Sequence, residues 1–280
     1  MISILFGLGT AVCFAASSLL SSRAVRIIGP WSVTAWTMLF GLALVLPMIL
    51  PAGIPSDLGA NAGWLIAAGA GNVIGILLAA TAFRVGKVGV VAPIMATEGA
   101  IAAVIAALLG ESIAPIIAFS LLVIVVGIVI SAIAPDPEPL ENERPVFAVL
   151  VATCAAFCFG ISLYSSGAVS GELPLAWVLL PARLVGVAAL AIPLLLLRRL
   201  HITRRALPMV IAMGALEVVG LTLFSFGAKE QIGVTSVVAS QFAPIAAVMA
   251  YVLFRERLGR LQITGVVILV LAVTGLTWVN

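Results

Sequence analysis

Long stretches of this chain contain no charged residue at all. Residues 1–22, 27–56, 58–83, 112–135, 145–171, 231–254 and 261–280 have no Asp, Glu, Lys or Arg. A helix that crosses a bilayer needs roughly 20 mostly apolar residues, and each of these runs is long enough to supply one. Charged residues make up 9% of the chain and hydrophobic ones 63%, whereas a soluble domain carries about 25% charged residues. A water-soluble fold of this size has too few charges to cover its surface, so lipid must be part of its solvent.

Breaks at Pro, Gly and charge clusters predict ten transmembrane helices, at about 3–21, 31–50, 62–83, 88–110, 114–134, 146–166, 174–197, 206–228, 232–254 and 259–279. They are called spans 1 to 10 below. In hydrocarbon an unpaired backbone amide costs several kcal/mol, so each span must be helical. The predicted fold class is an all-α integral membrane protein.

The longest polar stretch is Pro135-Asp-Pro-Glu-Pro-Leu-Glu-Asn-Glu-Arg-Pro145, which cannot cross a membrane. It divides the chain into residues 1–134 and 146–280, with 135–145 as a linker. The halves match at an offset near 145. Cys13-Phe14 falls on Cys158-Phe159, Ser17 on Ser162, Gly41 on Gly186, Gly69 on Gly214, Gly75 on Gly220 and Glu111 on Glu256. Two copies of a five-helix unit follow, and an odd helix count inverts the second copy.

The basic residues bear on that inversion. Loops after spans 1, 3, 5, 7 and 9 hold twelve: Arg23, Arg26, Arg84, Lys87, Arg144, Arg198, Arg199, Arg204, Arg205, Arg255, Arg257 and Arg260. Loops after the even spans hold only Lys229. By the positive-inside rule the odd loops face the cytoplasm and both termini lie outside. This predicts a multi-pass protein of a bacterial-type inner membrane. The first apolar run has no basic n-region, so it reads as a span and not as a cleavable signal peptide.

Several function classes lose ground here. The net charge of +3, with its basic residues in short loops, gives nucleic acid no binding stripe. The three cysteines (Cys13, Cys154, Cys158) form no metal spacing, and the one histidine, His201, sits in a loop. No nucleophile, base or metal set converges, so neither an enzyme nor a cofactor is expected. The expected partners are a small solute and the lipid bilayer, with the protein itself a monomer.

Ionisable groups inside a membrane are costly and usually face a cavity or each other. Glu98, Arg183 and Glu217 lie mid-span in spans 4, 7 and 8. They are candidates to line a central cavity. Arg183 would take a carboxylate or phosphate, and a Glu would take an ammonium or a coupling proton. The alternative is an internal ion pair of Arg183 with Glu98 or Glu217. Asn72, Gln241, Ser17 and Ser162 are polar candidates for the same interior, although any one of them alone is more simply glue between helices. Trp36 and Tyr164 could stack on a solute. Trp177 and Tyr251 suit interfacial anchors. Pro93 and Pro244 lack an amide hydrogen inside spans 4 and 9 and are candidate gates. Gly69-Ala-Gly71-Asn72-Val-Ile-Gly75 has the glycine spacing of a dinucleotide loop, but inside a span it reads as a stripe for close helix packing. Glu111 and Glu256 end spans 4 and 9 and read as solvated.

Two segments carry a family resemblance: Glu98-Gly-Ala-Ile-Ala-Ala-Val-Ile-Ala-Ala-Leu-Leu-Gly-Glu111-Ser-Ile113 and Ala243-Pro244-Ile-Ala-Ala-Val-Met-Ala-Tyr-Val-Leu-Phe-Arg-Glu256-Arg-Leu258. With the ten-helix pattern they resemble the drug/metabolite transporter superfamily, EamA-type. The family's Glu-Pro is split here, Glu98 in one copy and Pro244 in the other. The resemblance implies a ten-helix basket whose cavity is lined by spans 1–4 and 6–9. It also implies export of amino acids, other metabolites or toxic compounds. In the small multidrug relatives a glutamate of the first helix binds proton and cation, and span 1 here has no acid. The expected function is secondary transport by alternating access, most simply amino-acid export. The alternatives are a multidrug or other metabolite exporter and a passive facilitator.

Overall fold

In a computed structural model the described residues are 2–109, 143–230 and 232–254, with isolated positions at 123, 126, 259, 260, 263–265, 267, 268 and 271. Spans 5 and 10, Glu111, Glu256 and most of the predicted linker lie outside them. Among the described residues there is no strand.

The helices are α1 (Ile2–Ile28), α2 (Pro30–Ala52), α3 (Ala62–Val85), α4 (Val88–Met95), α5 (Glu98–Leu108), α6 (Pro145–Ser170), α7 (Leu175–Gly186), α8 (Ile192–Leu196), α9 (Leu207–Ala228), α10 (Ile232–Ala239) and α11 (Phe242–Phe254). Seven helical stretches are long and apolar enough to cross a membrane. They correspond to spans 1–4 and 6–8. Their outer faces expose large apolar side chains, among them Leu50 at 87%, Leu196 at 78% and Leu5 at 70%. On a soluble protein such faces would be adhesive, and in lipid they are solvated.

Three predicted spans are interrupted. Span 4 breaks at Ala96–Thr97 and span 9 at Ser240–Gln241. In span 9 the cause is covalent: Pro244 has no amide hydrogen to give to the carbonyl of Ser240. The matching position in span 4 is Gly99, a weak helix former, and the Thr97 hydroxyl bonds locally to the Ile94 carbonyl at 2.8 Å. The two breaks lie face to face, since a Cβ added at Gly99 would meet the Ser240 side chain and, at 2.9 Å, the Ser236 carbonyl. Span 7 relaxes into a π-helical turn over Val187–Ala191, just ahead of Pro193.

The two halves of the chain interleave. Helix α3 packs on α6, and α1 packs on α9. Small residues permit these close approaches. A Cβ at Gly75 would stand 2.7 Å from the Phe159 ring, and one at Gly220 would stand 2.9 Å from the Phe14 ring. Likewise Gly41 receives the side chain of Arg183, while Gly186 receives that of Met38. In each case the second contact is the first one shifted by 145 positions with the halves exchanged.

Candidate functional site

The breaks and the interleaved helices enclose a cavity in the interior. Four helices supply a regular stripe each, as helical periodicity requires. Phe14, Ser17, Ser18 and Ser21 come from α1; Asn72, Ile76, Ala79 and Phe83 from α3; Phe159, Ser162 and Leu163 from α6; and Met213, Glu217 and Leu221 from α9. Met95, Glu98 and Phe242 close it from beside the two helix breaks. The space open to the centre of a water molecule is about 70 Å³, and one water needs roughly 10–15 Å³ on that measure. The cavity therefore suits a small solute. Helices α2 and α7 contribute no lining residue. In this respect the arrangement is narrower than the basket implied by the family resemblance.

Of the predicted site residues, Glu98, Glu217, Asn72, Ser17 and Ser162 come together on this cavity. Glu98 is 4% exposed and heads α5 directly after the break. Its carboxylate has no hydrogen-bonding or ionic partner among the described residues. Asn72 is 6% exposed, and its Oδ1 likewise lacks a partner. The repeat-related serines differ. Ser162 donates to the carbonyl of Ala68 at 2.8 Å, whereas no bond ties down the hydroxyl of Ser17 among the described residues.

Arg183 is placed beside Glu217 and not on the cavity. It is wholly buried between α7 and α2, with its Nη1 3.5 Å from the sulfur of Met38 and its Nη2 3.7 Å from Glu217 Oε2. Gly41 makes the room, because a Cβ there would stand 2.9 Å from Arg183 Cδ. The guanidinium thus backs Glu217 from outside the cavity. Glu217 keeps 13% of its side chain exposed, toward the interior.

The predicted aromatic candidates lie elsewhere. Trp36 stacks on Phe40 with centroids 5.7 Å apart and donates its indole N–H to the His201 carbonyl at 3.0 Å. Tyr164 packs edge-on against Trp64. Gln241 sits at the break of span 9 but is not a lining residue. Pro93 is buried within α4, and position 244 lies within α11. Trp177 donates to the Gly53 carbonyl at 2.7 Å at an exposed position.

The aromatic wall was missed. Phe14, Phe83, Phe159 and Phe242 all face the cavity, and Phe14 meets Phe242 edge to face at 6.3 Å. The signal was present in the repeat, since Phe14 and Phe159 match at the common offset. Phenylalanine in an apolar span gives no other hint of facing inward.

The lining therefore offers carboxylate, amide and hydroxyl oxygens together with aromatic faces, and among the described residues no cationic side chain. It can accept hydrogen bonds from a solute and can place a positive charge against both carboxylate and ring.

Comparison with known proteins agrees with the helical architecture. Among solved structures 21 chains match. One crystal structure, described simply as that of a protein, superposes with a TM-score of 0.69 at 17% identity. It covers 99% of this chain and 96% of the other, so it is similar in fold. No curated protein matches. Residues 1–133 match the model of the EamA-like transporter family, so the first half of this multi-pass membrane protein is similar to the EamA-like transporters.

Proposed function

We propose that the protein is a secondary transporter that moves small ammonium-bearing metabolites, amino acids among them, out of the cell. The observation that carries this is Glu98. It is a buried carboxylate that faces the cavity with no partner of its own. Burying an uncompensated charge is expensive, and a bound ammonium or a proton would compensate it. A group that holds either in turn gives exchange of solute against proton. Asn72 Oδ1 and the serine hydroxyls add acceptors for the remaining N–H groups. The placement of Arg183 behind Glu217 moves recognition away from the solute's carboxylate and toward its amine.

Alternating access by two inverted five-helix repeats is the mechanism we infer. Its support is the reciprocal packing of Gly75 on Phe159 and Gly220 on Phe14, and the breaks at matching places in spans 4 and 9. Discontinuous helices at a repeat interface are a recurrent way to build a midplane site. The arginine-rich loops support a cytoplasmic side after the odd spans, with both termini outside. The four phenylalanines favour one further reading, a cation with an apolar body, because a cation over an aromatic face gains about 0.5–2 kcal/mol.

The test is flux in proteoliposomes. The panel pairs amino acids and amines with their N-acetylated counterparts, which lack the ammonium. Saturable flux of the ammonium forms, with trans-stimulation and loss of at least tenfold in Glu98→Gln, is expected. Equal flux of the acetylated forms, or an unaffected Glu98→Gln, sinks the amine reading. Flux without trans-stimulation points to a passive facilitator.

A further inference from the structure

A second recess lies away from the central cavity, at the arginine-bearing end of the molecule. It is lined by Arg26, Pro30, Thr81, Arg84, Val85, Arg144 and Phe147 and has a volume of about 740 Å³. Three chain segments separated in sequence build it: the α1–α2 junction, the end of α3 and the start of α6. They are tied together. Arg26 Nη2 reaches the carbonyls of Phe83 and Gly86 at 3.5 Å, and the Arg144 amide donates to the Val85 carbonyl at 2.9 Å. These contacts hold three guanidinium-bearing residues around one space.

Two of the three guanidiniums are available. Neither Arg84 nor Arg144 has a side-chain partner among the described residues. The same space lies at the N-terminus of α6, which no side chain caps. Its first turn leaves backbone N–H groups unpaired, and those carry the positive end of the helix dipole. Planar guanidiniums beside a helix N-terminus form a phosphate-binding arrangement. The flank of the recess is apolar: Phe147 is 46% exposed, and its neighbours Val146 and Ile27 are 60% and 43% exposed. Those side chains are open to the surroundings, as lipid-facing ones would be.

We propose that the recess between α1, α3 and α6 binds a phosphate monoanion or dianion through Arg84 and Arg144, and that its source is the headgroup of an anionic phospholipid. The apolar flank favours the lipid over a free ion, because acyl chains can lie along Phe147, Val146 and Ile27 while the phosphate meets the arginines. Basic pockets between transmembrane helices on the cytoplasmic side are a known way to hold anionic headgroups. The site is independent of the transported solute.

Binding to delipidated full-length protein in a non-ionic detergent tests it, by native mass spectrometry and thermal unfolding. The probes are phosphatidylglycerol, phosphatidylcholine and inorganic phosphate. The variants are R84Q/R144Q and, as a control with the same charge change, R198Q/R199Q. Phosphatidylglycerol is expected to bind wild type and the control alike. The R84Q/R144Q variant should bind it about thirtyfold more weakly, at about 1 kcal/mol per arginine and 1.4 kcal/mol per tenfold. Failure of millimolar phosphate to displace the lipid supports the lipid as source. Displacement by phosphate keeps the anion site and overturns the lipid assignment. Equal weakening in both variants, or none in R84Q/R144Q with its unfolding unchanged, overturns the site.

Discussion

Arg183 Nη2 stands 3.7 Å from Glu217 Oε2, and the arginine is buried while the glutamate is 13% exposed. The pair spans two helices, α7 and α9, and only the acid reaches the cavity. Removing one partner of a buried pair leaves the other charge uncompensated and costs about 3–5 kcal/mol. Glu217 keeps some exposure, so the low end applies. Arg183→Met should lower the thermal unfolding midpoint well below that of wild type. Arg183→Met/Glu217→Gln should recover at least half of the loss. If the double variant is no more stable than the single one, the pair is not the reason for the arginine.

Ser17 and Ser162 match in the repeat and both line the cavity, but only Ser162 has a fixed hydrogen bond. Bonds of this kind in membranes average about 0.6 kcal/mol and reach about 1.7 kcal/mol. Ser162→Ala should therefore lose stability in that range. Ser17→Ala should leave stability unchanged and raise the KM for transport severalfold. Unfolding midpoints and proteoliposome kinetics on the two variants separate the roles, and a reversed pattern refutes the assignment.

Gly71 and Gly63 lie in the same helix, α3, and should respond with opposite sign. A Cβ at Gly71 would stand 2.7 Å from the carbonyl oxygen of Cys158, which is backbone and cannot swing aside. At Gly63 nothing lies within 4 Å. Overpacking costs about 1–3 kcal/mol, whereas Gly to Ala in an open helical position gains about 1 kcal/mol. Gly71→Ala should destabilise and Gly63→Ala should not. Unfolding of both in one detergent decides the matter.

Pro244 cannot donate to the Ser240 carbonyl, and span 9 breaks at Ser240–Gln241. Pro244→Ala restores that donor and should extend α11 back through the break. The Ser240 amide is already bonded to the Ser236 carbonyl at 3.0 Å, so the expected outcome is slower amide exchange at positions 241–243, with lower transport turnover. Unchanged exchange there would mean that tertiary contacts, not the proline, hold the break.

Much of the architecture was legible because lipid imposes a simple rule. Long apolar runs must be helical, and seven of the ten predicted spans are helices able to cross a membrane among the described residues. The candidate acids were legible for the same reason, since Glu98 and Glu217 are conspicuous against an apolar background. The break at Ala96–Thr97 was not. Pro93 drew attention within span 4, yet the helix passes it and breaks three residues later. Pro93 is the sixth residue of α4, and the amide hydrogen it lacks would have reached Gly89, toward the start of the helix and away from the break. Gly99 and Thr97 were the relevant residues, and neither is unusual in a membrane span.

The sequence by itself determined that the chain lies in a bilayer, where its helices run and which charges must be sheltered. Those follow from the cost of placing a charge or a bare amide in hydrocarbon, which depends on residue type alone. The tertiary structure decided which sheltered groups share a space. Arg183 and Glu98 have equal claims on the interior when read along the chain. Gly41 on a distant helix gives Arg183 a slot outside the cavity, while the break before α5 leaves Glu98 facing in. That choice rests on packing between helices far apart in sequence, and helical periodicity does not encode which neighbour a face will meet.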